Sequence, residues 1–274
     1  MKKFMKSFAI LAIAFGVISS STTYAKADMN EDQLNEYLQD HGYPIIVIQN
    51  LELEQKKDIV AQNGSYAGHY AESSYIGDGE ITTQQLGTNF THMISLSQVT
   101  AAAGKVDFLV NYNWDWNYGP TFTSDDQWGL AWTDDFDAYP STAKYSYKTF
   151  GFSQSNPAIR AETAGNQITG YNTYTPGAGI GWSVNLIQAF QQNGTTFIVD
   201  RNKGWSQIKI GKAHNGSGKI DSSSIVGKYF HKYLAANGSL SFDKSGPSVG
   251  ISYDWAYDSS NDYGYQWDWY HKNY

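Results

Sequence analysis

From Lys105 to Trp116 the chain reads KVDFLVNYNWDW, in which Val106, Phe108, Val110, Tyr112, Trp114 and Trp116 alternate with Lys105, Asp107, Leu109, Asn111, Asn113 and Asp115. A period of two sends successive side chains to opposite faces of an extended strand, whereas a helix would scatter them around its circumference. This stretch therefore predicts a long strand with one strongly apolar face. It also separates the tryptophans of the Trp-Asp-Trp motif from its aspartate, so Trp114 and Trp116 cannot share a pocket with Asp115. A second Trp-Asp-Trp, Trp267 to Trp269, carries the same polarity.

The alternation begins after Gly64 and continues to the C-terminus. Further strands are expected around Phe90 to Leu96, Leu130 to Trp132, Tyr145 to Phe152, Ile180 to Leu186, Thr195 to Asp200, Lys228 to Leu234 and Ser239 to Phe242. Asn193-Gly194 and Asn237-Gly238 are hairpin signals, because both central residues of a tight hairpin turn need positive φ. At the C-terminus, Ile251 to Tyr257 and Tyr263 to Trp269 flank the loop DSSND, residues 258–262. A hairpin there would place seven aromatic rings on one face. Between Asn30 and Asn63 the period is helical instead, and Gly42, Pro44 and Asn63-Gly64 divide it into three short helices. The expected fold class is mainly β, an antiparallel β-sandwich or barrel with a short helical N-terminal segment.

The N-terminus has the layout of a secretory signal peptide: Lys2, Lys3 and Lys6, an apolar run from Phe8 to Ile18, then small residues at Ala25 and Ala27. That run falls short of the roughly 18 residues a membrane anchor needs. Cleavage is expected after Ala27, which divides the chain into a signal peptide (1–27), a helical segment (28–64) and a β-rich domain (65–274). The chain contains no cysteine, carries a formal net charge of −7 and would become more acidic without its leader lysines. A chain of this length builds a core without covalent staples. Acidity and the scarcity of arginine, Arg160 and Arg201 only, argue against nucleic acid, which is held by clustered cations. The composition is that of a secreted, extracellular Gram-positive product.

Conventional catalytic signatures are missing: the sequence has no cysteine nucleophile, no G-x-S-x-G and no H-E-x-x-H. AHNGSGKI, from Ala213 to Ile220, imitates a phosphate loop with misplaced glycine and hydroxyl positions, and reads as a turn. His69 and Glu72 have H-x-x-E spacing in a context that disfavours helix. His92 sits on an apolar strand face, as a hydrogen-bonded core histidine does. The acidic loop offers Asp134, Asp135 and Asp137 as candidate calcium ligands, with a solvated loop as the competing reading. Asn-x-Ser/Thr patterns at Asn63, Asn89, Asn193, Asn215 and Asn237 arise mostly from Asn-Gly turns.

Three uses of the aromatic faces follow. They pack as core; they leave rings at a rim for a ligand; or they meet lipid as barrel strands of about 9 to 11 residues. The leading expectation is a secreted, non-enzymatic binding protein recognising a cell-envelope glycan or a protein surface through rim aromatics Trp116, Tyr118, Trp128 and Trp269. A membrane-active, pore-forming or antibacterial protein is the alternative. A carbohydrate-active enzyme, with paired carboxylates across an aromatic cleft, comes third.

Overall fold

The computed structural model describes residues 29–73, 90–117, 119, 125–133, 136–213, 220–232, 237–243, 246–260 and 263–270. The expected signal peptide lies outside these residues, as do the phosphate-loop-like residues 214–219.

Three helices come first: α1 (Glu31–Asp40), α2 (Ile45–Asn50) and α3 (Leu53–Ala61). Asn30 and Gln33 close a capping box on α1 through paired bonds of 2.9 and 3.0 Å, satisfying amides that the first turn leaves open. Pro44 caps α2 from just outside it, and Gly42 and Asn63 take positive φ at the breaks. Among the described residues seventeen strands follow. The first eight are β1 (Ser65–Ser73), β2 (Phe90–Val99), β3 (Lys105–Trp116), β4 (Asp125–Trp132), β5 (Asp137–Ala138), β6 (Lys144–Ser153), β7 (Arg160–Glu162) and β8 (Ile168–Thr169). The rest are β9 (Thr173–Thr175), β10 (Gly179–Asn185), β11 (Ala189–Gln192), β12 (Thr195–Ala213), β13 (Ile220–Lys232), β14 (Leu240–Asp243), β15 (Ser248–Ile251), β16 (Tyr257–Ser259) and β17 (Tyr263–Tyr270).

Fifteen of them form two antiparallel sheets, and β14 and β15 pair separately. One has the order β1-β2-β3-β12-β6-β7, with β5 and β11 added to β12 and β8 to β6; the other has the order β16-β13-β4-β10-β9, with β17 on β13. They do not close into a barrel. Between them lies the aromatic core, to which β3 contributes all six of its even-numbered side chains from Val106 to Trp116. From the facing sheet come Trp128, Leu130 and Trp132 of β4 and Ile180, Trp182 and Val184 of β10. The alternation read from the sequence is thus the alternation of the sandwich, and core packing is the main use of these rings.

Both outer faces are also covered. Over the first sheet lie the helices, with Leu38, Val47, Ile48 and Ile59 packed against Met93, Val99 and Leu109. Over the second lies the β14–β15 hairpin, whose Leu240 and Val249 meet Ala131 and Phe230. The polar side of β3 is consequently buried too: Asn111 and Asn113 are 0% and 2% exposed. Gln55 of α3 reaches them, its Nε2 donating to Asn111 Oδ1 at 3.2 Å and Asn113 Oδ1 at 2.9 Å while its Oε1 accepts from Asn113 Nδ2 at 2.8 Å. Gln55 also accepts from the backbone N–H of Glu52, so one side chain both caps α3 and anchors it to the sheet. Gln55→Ala strands buried amide groups and is expected to cost about 2 kcal/mol, read as a lowered urea midpoint; an unchanged midpoint would show the helices to be held by apolar contacts alone.

Two expected hairpins do not form. Asn193-Gly194 does turn the chain, with φ of 52° and 77°, but it joins the short β11 to β12, while the expected arm from Ile180 forms β10 and pairs with β4 and β9. Asn237-Gly238, however, does not pair its flanking segments, because β13 already has β4 on one edge and β16 and β17 on the other. The chain leaves the sheet plane, and β14 pairs with β15 instead. The C-terminal segments likewise do not fold onto each other. Tyr253 takes φ 56° ahead of a single helical turn at Asp254–Ala256, after which β16 and β17 run successively along the same edge of β13. Phe230 pairs with Ser259 and Gly227 with Tyr263, so two residues of β13 oppose three of the C-terminal chain. One extra residue reverses side-chain parity. Tyr257 therefore packs on the outer face of the sheet and Trp267 in the central core, and the seven-ring face does not exist.

Candidate functional site

On the outer face of the first sheet, α3 leaves a furrow beside it. Trp205 stands opposite Ser146 and Gln207 opposite Lys144, and alternate residues of each strand share a face. Lys203, Trp205, Gln207 and Lys209 of β12 therefore form one row of the floor, with Lys144, Ser146 and Lys148 of β6 beside it. The helix supplies one wall, with Glu52, Leu53 and Glu54 at one end and Asp58 at the other; residues 165–169 supply the opposite wall. Two cavities of about 190 and 360 Å³, with no lining residue in common, occupy the two ends. At roughly 3.3 Å per residue, the floor from Lys203 to Lys209 is about 20 Å long.

Three properties define its chemistry. Trp205 is only 5% exposed, yet it belongs to none of the apolar clusters and lines the furrow. Every lysine of the lining has a carboxylate partner: Lys203 Nζ lies 2.5 Å from Glu52, Lys209 2.7 Å from Asp107, Lys148 3.7 Å from Glu162, and Lys144 pairs with Asp58. Finally, Gln207 is fully buried and donates through Nε2 to Asn111 Oδ1 at 2.7 Å, while its Oε1 has no donor among the described residues. The result is a charge-balanced, polar trough with a buried indole in its floor.

Of the expected site residues, Trp116, Trp128 and Asp137 lie away from the furrow. Trp116 and Trp128 are 6% and 0% exposed and lie in the central core, so neither offers a ring to a surface ligand; strand alternation turned both inward. Tyr118 and the Trp269 side chain lie outside the described residues, as do Asp134 and Asp135. Asp137 accepts bonds from Tyr174 Oη at 2.5 Å, Gly177 N at 3.1 Å and its own neighbour Ala138 N at 2.8 Å, and so ties β5 to the β9–β10 turn. No group of three or more metal-ligating side chains occurs among the described residues. His69 lies in a strand and meets Tyr66 Oη at 2.6 Å. The furrow residues were not singled out from sequence, although KGWSQIK shows the signal: a tryptophan on the same strand face as lysines and a glutamine.

A second polar cluster lies at one end of the sandwich. Asp126 of β4 is fully buried and accepts from Tyr229 Oη at 2.6 Å, from His231 Nδ1 at 2.9 and 3.0 Å, and from the backbone N–H of Lys232 at 3.2 Å. Trp116 lies edge-on to the His231 ring at 5.2 Å, and Asp258 is its register partner on β16. With Asp126 and Tyr229 inaccessible, this is a clasp between strands and not a reaction centre. Burial opposes a charged His231, but the Asp126 carboxylate outweighs it and holds the pKa above the ordinary 6.5. Burial also raises Asp126 against the pull of His231, so the pair retains one proton tightly. His92 is the opposite case: buried against Tyr112 Oη at 2.6 Å, its pKa is pushed down to about 3.

These shifts set a stability optimum. His231, raised in the folded state, contributes stability that is complete below pH 6.5 and is lost as pH rises through its folded pKa. His92, lowered in the folded state, contributes stability present above pH 6.5 and lost as pH falls toward about 3. Each slope is at most about 1.4 kcal/mol per pH unit for one proton. Urea midpoints measured across pH should therefore peak near neutrality, with His92→Gln flattening the acid limb and His231→Gln the alkaline limb. An acid limb that is unchanged in His92→Gln would refute the assignment.

No protein family and no curated protein matches the sequence. Among solved structures, one described as "Pore forming protein" aligns over 74% of this chain and 95% of its own, at 9% identity and a TM-score of 0.33. Another, described as "AvmM Catalyzes Macrocyclization in Alchivemycin A Biosynthesis", aligns over 72% of this chain and 96% of its own, at 10% identity and a TM-score of 0.25. At such scores neither likeness bears on activity.

Proposed function

We propose that the chain is a secreted, extracellular binding protein whose furrow on the outer face of the first sheet takes an extended polar polymer of the cell envelope. One observation carries the reading: beside α3, side chains of the adjacent strands β12 and β6 line two cavities, with paired lysines and carboxylates and the exposed Leu53 at their rims. Binding sites generally combine apolar surface with a few placed polar groups. The test is retention of the chain from Asp28 onward on purified cell walls, compared with Leu53→Trp, whose bulkier ring obstructs the cavity beside Glu52 and Glu54. Retention should fall about tenfold, a loss of roughly 1.4 kcal/mol. Equal retention of the two proteins would sink the proposal.

A membrane-active role is the second reading, and one observation favours it: Ile45 and Ile46 project from the start of α2 at 58% and 50% exposure. The strand whose length first raised that reading gives it no support, since β3 is central in its sheet and buries its rings in the core. Dye release from anionic and zwitterionic vesicles, abolished by Ile45→Asp/Ile46→Asp, would establish it. Intact vesicles would remove it.

A further inference from the structure

The dipeptide Asn-Gly recurs along the chain, and among the described residues the fold holds three copies of it in different states: Asn63-Gly64, Asn193-Gly194 and Asn237-Gly238. We infer that Asn193 is a modification site, the asparagine at which the native chain loses its side-chain amide to give aspartate and isoaspartate, while the fold protects Asn63 and Asn237. In Asn-Gly the main-chain nitrogen of the glycine can close a five-membered ring on the asparagine carboxamide, and a residue without a side chain does not obstruct it. Asparagine belongs for this reason among the thermally labile residues. The ring closes only where that N–H is free to lose its proton and the backbone can turn toward it.

Two of the three copies deny both conditions. Gly64 is buried and its N–H donates to Ile59 O at 2.8 Å, closing the end of α3, while Asn63 Nδ2 donates to Thr100 Oγ1 at 3.0 Å. The Gly238 N–H donates to Tyr257 Oη at 2.9 Å, on a tyrosine that is 2% exposed, and Asn237 Oδ1 accepts from Lys232 Nζ at 2.5 Å. Asn193 and Gly194 are both exposed; the Gly194 N–H has no acceptor among the described residues, and the space beside its Cα is open. Their left-handed backbone must rotate before the ring can form. That rotation is cheapest at the tip of a hairpin whose arm β11 is four residues long and largely exposed.

The chemistry needs only water. Solvent base takes the Gly194 amide proton, the nitrogen bonds to Asn193 Cγ, and the Cγ–Nδ2 bond breaks with release of ammonia. Water then opens the cyclic imide: addition at Cγ gives aspartate, and addition at the main-chain carbonyl gives isoaspartate, whose chain runs through Cβ and Cγ. Nothing is oxidised or reduced. Either product adds a negative charge to an already acidic chain. Isoaspartate also lengthens the backbone within the turn, so the register of Gln192 with Thr195 at the hairpin tip is lost.

The experiment incubates the chain from Asp28 onward in mildly alkaline buffer, folded and in urea, and follows each Asn-Gly by peptide mass mapping, with isoaspartate counted by enzymatic methyl transfer. In the folded protein Asn193 should deamidate about tenfold or more faster than Asn63 and Asn237, the factor expected where a hydrogen-bonded amide must first be released. In urea the three rates should converge. Tyr257→Phe, still folded by circular dichroism, removes the acceptor of the Gly238 N–H and should raise the rate at Asn237 while leaving that at Asn193 unchanged. Deamidation at Asn193 no faster than at either protected copy overturns the inference, as does an Asn193 that stays intact while the unfolded chain reacts there. A preference that persists in urea, or an Asn237 rate indifferent to Tyr257→Phe, overturns the role given to the fold.

Discussion

Asp126→Ala is expected to destabilise the protein by about 3–5 kcal/mol, the cost of breaking a buried charged pair by removing one partner. Four bonds converge on this carboxylate, from Tyr229 Oη, His231 Nδ1 and the Lys232 amide. Its loss leaves three donors buried without an acceptor at a point where β4 and β13 join. A domain has only about 5–15 kcal/mol to lose, so the urea midpoint should fall far enough to be visible without refinement. Asp126→Asn keeps the shape and one acceptor oxygen and should cost less. It should also remove the rise in the His231 pKa, so that the alkaline limb of the stability profile flattens. A loss below about 1 kcal/mol in Asp126→Ala would mean that water replaces the carboxylate and that the clasp is not structural.

Trp114→Ala should cost a similar about 3–5 kcal/mol through the cavity it leaves. The ring is 1% exposed, edge-on to Trp128 at 5.5 Å and tilted against Tyr229 at 5.0 Å, which joins the two sheets across the core. Its cross-strand partner is Gly204, where an added Cβ would lie 2.4 Å from the indole. The glycine exists because the tryptophan lies over it. Gly204→Ala therefore probes the same packing from the other side, with overpacking expected to cost about 1–3 kcal/mol. Near-UV circular dichroism should lose intensity in Trp114→Ala, since Trp128 and Tyr229 would both lose a fixed neighbour. Full retention of both signal and stability would show that the aromatic core repacks freely.

Much of the fold was legible because local chemistry decided it. The twelve-residue β3, the three helices and the Asn193-Gly194 hairpin all rest on short-range features: a period of two, capping residues, and a turn that needs positive φ. Where a partner strand decided the outcome, local signals misled. Asn237-Gly238 had the same turn chemistry as Asn193-Gly194, but β13 had no vacant edge for it. In the C-terminal segment a helical turn at Asp254–Ala256 broke the alternation expected from Ile251 to Tyr257, and a change of register between Ser259 and Tyr263 put Tyr257 and Trp267 on opposite faces.

The site shows the same division. That Trp114 and Trp116 must leave Asp115 behind was readable from alternation, and Asp115 does turn outward to a two-point contact with Arg201 at 2.9 and 2.5 Å. Whether those tryptophans faced core, groove or lipid depended on what the second sheet brought against them. The furrow depended on still more distant placement, since α3 and residues 165–169 must come to lie on either side of Trp205 and Gln207. The sequence by itself determined which residues share a face, because that is set by the backbone's own geometry. Only the tertiary structure decided what each face meets, because cross-sheet packing, edge occupancy and the helical cover are contacts between residues far apart in the chain, and no local period encodes them.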